Sequence, residues 1–231
     1  MKGIAAILLV SLLLLTACGG QTSKAGNRLI VKAPEKARVS ESVIIKVTDE
    51  NGHPVFGARF YHGYVGGTGT TDKNGEVVTF FTQPGTFEYS VMKSGFTEAK
   101  GTVEIGPGVV ELIAFGGIHV GPPPAPGQPA QTNSYRPGMM VRFMVTNVGT
   151  EEITLSNSAP WEIRTLDNEV VFQPVALQVI VSLAPGGTKE WSWEQKDNNG
   201  SQVKEGTYLI VFRCSEGEYR CLFSIVPAAL Q

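Results

Sequence analysis

Apolar and polar residues alternate with a period of two through most of this chain. In the first half the alternating runs are short: residues 28–33, 42–48 with Val43, Ile45 and Val47 in phase, 55–61, 76–82, 86–93 and 99–105. A period of two puts every second side chain on one face of a strand. Turn signals separate the runs, namely Asp49-Glu50-Asn51-Gly52, Thr70-Thr71-Asp72-Lys73-Asn74-Gly75, Pro84-Gly85 and Ser94-Gly95. Asn-Gly pairs supply the positive φ that tight turns require. No stretch keeps a helical apolar period over the roughly ten positions a helix needs. Short strands at this spacing predict a β-sandwich.

The second half repeats the pattern. Residues 109–120 form an apolar run broken at Gly116-Gly117. Further runs follow at 139–146, 152–156, 161–166, 170–173, 175–183 and 188–195. Gly206-Thr207-Tyr208 opens a strand to Cys214, and 220–226 closes the fold. Trp191 and Trp193 share a strand face, which assigns that face to the core. Between these runs lies Gly121-Pro122-Pro123-Pro124-Ala125-Pro126-Gly127-Gln128-Pro129, which offers few backbone donors and favours an extended form. It reads either as an interdomain linker or as a loop inside the second domain. The second reading is favoured, because the run at 109–118 needs a sheet partner. The boundary then falls near Gly106-Pro107-Gly108. The expected architecture is all-β: two tandem sandwiches at 28–105 and 109–227, with the proline-rich loop at 121–129 inside the second.

The first half resembles a known module. Val47-Thr48-Asp49-Glu50-Asn51-Gly52-His53-Pro54-Val55-Phe56-Gly57-Ala58, then Thr70-Thr71-Asp72-Lys73-Asn74-Gly75, then Tyr89-Ser90-Val91 and Ser94-Gly95-Phe96 are similar to the immunoglobulin-like modules of bacterial surface proteins. They are similar also to carboxypeptidase regulatory-like domains. The resemblance covers about 60 residues and implies an immunoglobulin-like spacer or accessory module. The second half resembles the BsuPI-type domain, named after an intracellular proteinase inhibitor of bacilli. The resemblance rests on Val145-Thr146-Asn147, Trp161-Glu162-Ile163-Arg164, Leu166-Asp167-Asn168-Glu169-Val170-Val171, Leu183-Ala184-Pro185-Gly186-Gly187, Trp191-Ser192-Trp193 and Lys204-Glu205-Gly206-Thr207-Tyr208. It implies a second immunoglobulin-like sandwich. It gives no inhibitory residues to carry over by position.

The N-terminus changes where such modules would work. Lys2 precedes the apolar run 4–15, and Leu15-Thr16-Ala17-Cys18-Gly19-Gly20 follows. The run is too short for a membrane-spanning helix of about 20 residues and has the form of a secretory signal. It resembles the lipobox of bacterial lipoproteins, which implies cleavage after residue 17 and acylation of Cys18. Residues 1–17 are then a signal peptide and 18–27 a small, polar tether. This places the protein at the cell membrane or outer membrane, facing the extracytoplasmic space.

Two cysteines remain, Cys214 and Cys221, with strand-like residues on both sides. In an oxidising compartment they are expected to form a disulfide across a hairpin. The rival reading is half of a metal site, but no histidine or second cysteine pair completes it. The formal charge of −2 gives no electrostatic case for nucleic acid. Charged residues are 17% and hydrophobic ones 42% of the chain, an ordinary globular balance.

Candidate chemistry is sparse. The three histidines, His53, His62 and His119, lie in segments without metal-ligand spacing. No Gly-x-Ser-x-Gly elbow is present. The glycine-rich residues 63–69 lack a phosphate-loop ending, and Asp72, Asn74 and Glu76 alternate as in a calcium loop without its closing glutamate. The expectation is therefore no cofactor, no metal and no enzyme, but a lipid-anchored binding or scaffold protein. The alternative is an extracytoplasmic proteinase inhibitor, with Pro122, Pro123, Pro124 and Pro126 presenting a rigid loop to a protease or another protein partner.

Overall fold

The structure is a computed structural model that describes residues 27–63, 68–118 and 133–227. The expected signal peptide, Cys18, Tyr64, His119 and the proline-rich loop with Pro122, Pro123, Pro124 and Pro126 lie outside the described residues. Alternation is realised as strands throughout, and the described residues are all-β.

The first half holds β1 (Asn27–Arg28), β2 (Ile30–Lys32), β3 (Lys36–Arg38), β4 (Val43–Thr48), β5 (Arg59–Tyr61), β6 (Thr68–Thr70), β7 (Glu76–Thr79), β8 (Gly85–Met92), β9 (Phe96–Thr97) and β10 (Ala99–Gly106). The second half holds β11 (Val110–Phe115), β12 (Asn133–Tyr135), β13 (Val141–Asn147), β14 (Ile153–Leu155), β15 (Trp161–Thr165), β16 (Val170–Phe172), β17 (Val181–Leu183), β18 (Thr188–Trp193), β19 (Gly206–Cys214) and β20 (Gly217–Ile225).

The two halves have the same strand order. In the first, β2-β4-β7 packs against β3-β10-β8-β5-β6; in the second, β11-β13-β18 packs against β12-β20-β19-β15-β16. In both, a strand near the start of the module runs parallel to its last strand, β3 with β10 and β12 with β20. This arrangement is an immunoglobulin-like sandwich. The β14–β17 pair extends the second module.

Each sandwich has its own core. Val43, Ile45, Val47, Phe60, Phe87, Tyr89, Val91, Val103 and Ile105 fill the first, the in-phase residues of facing strands. Phe143, Trp161, Ile163, Trp193, Ile210, Phe212, Tyr219 and Phe223 dominate the second. Trp193 is buried and Trp191 half-buried on the same face, and both pack on this core, as the alternation predicts. The Trp191 ring stacks on Phe143, and Trp193 meets Phe172, Tyr208 and Phe223.

Three turns share one construction. In each, an aspartate Oδ1 accepts two backbone N–H groups, from the residues two and four ahead. The pairs are Asn51 and His53 on Asp49, Asn74 and Glu76 on Asp72, and Asn199 and Ser201 on Asp197. A glycine three ahead bonds back to the aspartate carbonyl with φ of 83°, 74° and 78°. Backbone amides occupy Oδ1 of Asp72 and the Asn74 side-chain amide donates to Oδ2, so the Asp72–Asn74–Glu76 alternation is a turn device.

Tyr208 supplies a further immunoglobulin-like feature. At the start of β19 its hydroxyl donates to the Lys204 carbonyl at 2.7 Å, the tyrosine corner of this fold. Asn147 closes the neighbouring corner. It is fully buried, its Nδ2 donates to the carbonyls of Glu151 and Leu183, and its backbone pairs with Gly186 and Gly187.

The expected disulfide is corrected by the register. Cys214 and Cys221 are free. The hairpin turns through Ser215-Glu216, so Cys214 faces Gly217 and Cys221 faces Ile210. The two cysteines lie four positions apart along the ladder, about 13 Å at strand rise, beyond the roughly 7 Å that a bridge allows. The apolar run 175–183 also differs from expectation: only Val181–Leu183 is a strand, and Val175, Leu177, Val179 and Ile180 before it are exposed.

Candidate functional site: the cleft between the sandwiches

Only Pro107, Gly108 and Val109 separate β10 from β11, so the sandwiches are held close. Residues 40–42 of the first then reach β20 of the second. Arg220 N donates to the Ser40 carbonyl at 2.7 Å, and Ser42 N donates to the Glu218 carbonyl at 2.8 Å. These bonds place Glu41 opposite Tyr219 as an antiparallel bridge between domains. Beside the bridge, Phe80 of the first sandwich packs on Leu209, Val211 and Leu222 of the second, on the face of β19 and β20 turned away from its own core.

Side chains reinforce the bridge. Ser42 Oγ donates to Glu218 Oε1 at 2.6 Å and accepts from Arg220 Nε at 2.7 Å. A line of alternating charge runs along the same face of β15, β19 and β20. Arg164 and Arg213 both bind Glu162 Oε1; Arg213 and Arg220 both bind Glu218. Glu162 and Arg220 are almost completely buried, and buried charges persist only when paired in this way. Burial by itself would raise the Glu218 carboxyl. The Ser42 hydroxyl and the Arg220 and Arg213 guanidiniums outweigh it and hold Glu218 below its usual range. Burial pulls Arg220 down, with partial compensation from Glu218.

Next to this seam lies an open cleft of about 540 Å³. Phe80, Pro84, Pro107, Ile113, Val148 and Leu222 give it mainly apolar walls, with Glu111, Asn133 and Arg220 as polar points. A cleft of this size and polarity, at a domain junction, suits an apolar group with a few polar contacts. Cys221 is on its wall, but burial pushes that thiol up to about 11, away from nucleophilic use near neutrality. A second concavity of about 460 Å³ on the first sandwich is lined by Tyr61, His62, Glu88, Glu98 and Lys100.

The two described histidines have separate surroundings. His53 is exposed and within 3.1 Å of Asp49; His62 is buried, stacks on Phe81, contacts Thr79 Oγ1 and is pulled below its usual value by burial. Among the described residues no group of three His, Cys, Asp or Glu is arranged to hold a metal. The seam residues Ser42, Phe80, Glu218 and Arg220 were not singled out by the sequence. Their only local signal is the break of phase at Phe80-Phe81, two aromatic residues that cannot both face one core.

No protein-family model matches the chain, and no curated protein does. Solved structures are similar to it over most of its length. Fibronectin(III)-like modules of Clostridium thermocellum CbhA match 87% of this chain and 97% of theirs, at 13% identity and a TM-score of 0.24. SGBP-B of the mixed-linkage glucan utilization locus of Bacteroides ovatus matches 86% of this chain and 47% of its own, at 14% identity and a TM-score of 0.25. Escherichia coli alpha-2-macroglobulin matches 90% of this chain at 10% identity and a TM-score of 0.29. The chain spans only 23% of that protein's length. At such TM-scores these likenesses carry no argument about function. The strand orders define the class: a tandem of immunoglobulin-like β-sandwiches.

Proposed function

We propose that the protein is a non-catalytic binding or scaffold protein, anchored through lipid on Cys18 and facing the extracytoplasmic space, with the interdomain cleft as its recognition site. The observation that carries the reading is the seam. Its ionisable groups are committed to pairing with one another on the second sandwich and are tied to the first through the Ser42 hydroxyl, and the concave surface they leave beside them is mainly apolar. Such an arrangement suits recognition better than proton or group transfer. The Leu15-Thr16-Ala17-Cys18 segment supports the anchor, and a single acyl protein at a membrane gains effective concentration for its partner. The BsuPI-type character of the second sandwich belongs to this proposal. It is supported by Asn147 tying Leu183, Gly186 and Gly187 together, which gives two of the resembling motifs one structural role.

The full chain produced in bacteria fed labelled palmitate tests the anchor. Label and membrane association are expected in the native chain and absent in Cys18→Ser; label retained by that variant refutes it. Pull-down from membranes with the native chain and with Ile113→Lys tests the cleft. A partner retained equally by both refutes the cleft as recognition site.

A further inference from the structure

We propose that the outer sheet face of the first sandwich is a second recognition site, one that takes an uncharged oligosaccharide. It is separate from the cleft between the sandwiches and independent of it. The site is the concavity of about 460 Å³ over β5, β8 and β10. Phe60, Tyr89 and Val91 point into the core, so Tyr61, Glu88 and Ser90 beside them point out. Strand register then sets the floor plan. Tyr61 pairs with Ser90, and Ser90 with Lys100, in one row across three strands; Glu88 pairs with Thr102 in another row of the same face. The small Ser90 lies between Tyr61 and Lys100, whose backbones are about 10 Å apart at strand spacing. The row is a trough with an aromatic wall on one side and an ammonium on the other.

The side chains in the trough are uncommitted. Tyr61 is 47% exposed. Among the described residues no hydrogen bond or ion pair engages the side chains of Tyr61, Glu88, Ser90 or Thr102. Elsewhere on this sandwich opposite charges pair across strands, Lys36 with Glu104 and Lys46 with Glu76. Here Glu88 has a threonine opposite it and Lys100 has a serine. Lys100 does lie 3.6 Å from the Glu98 carboxylate, and both are exposed. Such a pair is weak and leaves both heads open to a ligand.

This set selects one chemistry. Glu88 and Glu98 accept hydrogen bonds, Lys100 donates, and the hydroxyls of Ser90 and Thr102 do either. A pyranose ring offers C–H faces to an aromatic wall and, at its edge, hydroxyls that both donate and accept. The two carboxylates oppose phosphates, uronates and nucleic acid. A hydrocarbon chain would desolvate the charges without pairing them. Ser90, on the floor, is paired on both sides and offers no strand edge to a peptide. Glu98 also lines an adjoining concavity of about 520 Å³ with Arg59, Met92 and Phe96. The trough therefore continues along the sheet, and the ligand is a chain of neutral sugars.

The test presents the full chain, in detergent micelles, to an array of neutral and uronate-containing hexasaccharides, followed by calorimetry with the best neutral one. Binding of a neutral chain is expected. Tyr61→Ala should weaken it about tenfold, and Tyr61→Phe, which keeps the ring, should bind as the native chain does. Glu88→Gln and Lys100→Met should each weaken it several-fold. Tyr61 lies outside the core, so Tyr61→Ala should melt with the native chain, which separates a lost contact from a lost fold. Ile113→Lys, in the cleft between the sandwiches, should leave sugar binding unchanged. No neutral hexasaccharide bound at millimolar concentration, a preference for uronate chains, or binding untouched by Tyr61→Ala would overturn the proposal and leave the cleft's role standing. Binding abolished by Ile113→Lys would move the sugar to the cleft and overturn it as well.

Discussion

Phe80 and Phe81 are neighbours in sequence with opposite destinations, and this makes Phe80→Ala a sharp probe of the seam. Phe81 lies in the first core at 1% exposure; Phe80, at 4%, lies against Leu209, Val211 and Leu222 of the other sandwich. Deleting a phenylalanine ring from a packed core costs about 3–5 kcal/mol. The Phe80 ring is packed on one side and borders the open cleft on the other. Water can fill part of the space left, so about 2 kcal/mol is expected. Neither sandwich's own core includes Phe80, so the loss falls on the coupling between them. Scanning calorimetry of the native chain should give one transition. Phe80→Ala should split it, with the earlier transition lower by about 8–16 °C for a loss of about 2 kcal/mol in a single sandwich. Phe81→Ala is the matched control: it removes the same ring from a core and should keep one transition while costing the full amount. A single, equally shifted transition in both variants would refute the assignment of Phe80 to the junction.

Two other outcomes follow from the same surface. The Glu218 carboxyl is held below its ordinary value of 4.5, so its contribution is present above that value and is lost as pH falls through the depressed folded value. Urea midpoints should drop in acid, and Glu218→Gln should be weaker at neutral pH yet lose less on acidification; equal acid loss in both would exclude this carboxylate as a cause. Burial raises the thiols of Cys214 and Cys221. Both should therefore react slowly with thiol reagents in the native protein and as two free thiols after denaturation without reductant, and recovery of a disulfide instead would contradict the hairpin register.

The fold was legible in the chain because strand alternation and Asp-x-Asn-Gly turns are local signals. Val43, Ile45 and Val47 face inward, and three such turns share one hydrogen-bond pattern. The cysteine pairing failed on a shift of two residues. The spacing of Cys214 and Cys221 centres a hairpin on Gly217-Glu218, but the turn is Ser215-Glu216, and only tertiary packing sets that register. The exposure of Val175, Leu177, Val179 and Ile180 was also hidden, because an apolar run does not by itself declare whether it pairs into a sheet or stays outside one. The seam was beyond reach, since Ser42 and Arg220 are 178 positions apart and nothing local couples them.

The parallel pairing of β3 with β10 bears on tension. A pull on the N-terminal end that has passed β1 and β2 is applied to β3 toward its start, while a pull on the second sandwich draws β10 toward its end. Neighbouring parallel strands drawn this way slide along each other. Their cross-links must then yield together, not one after another as in unzipping. The first sandwich is built as a shackle, whose grip resists hardest along the line joining its two ends.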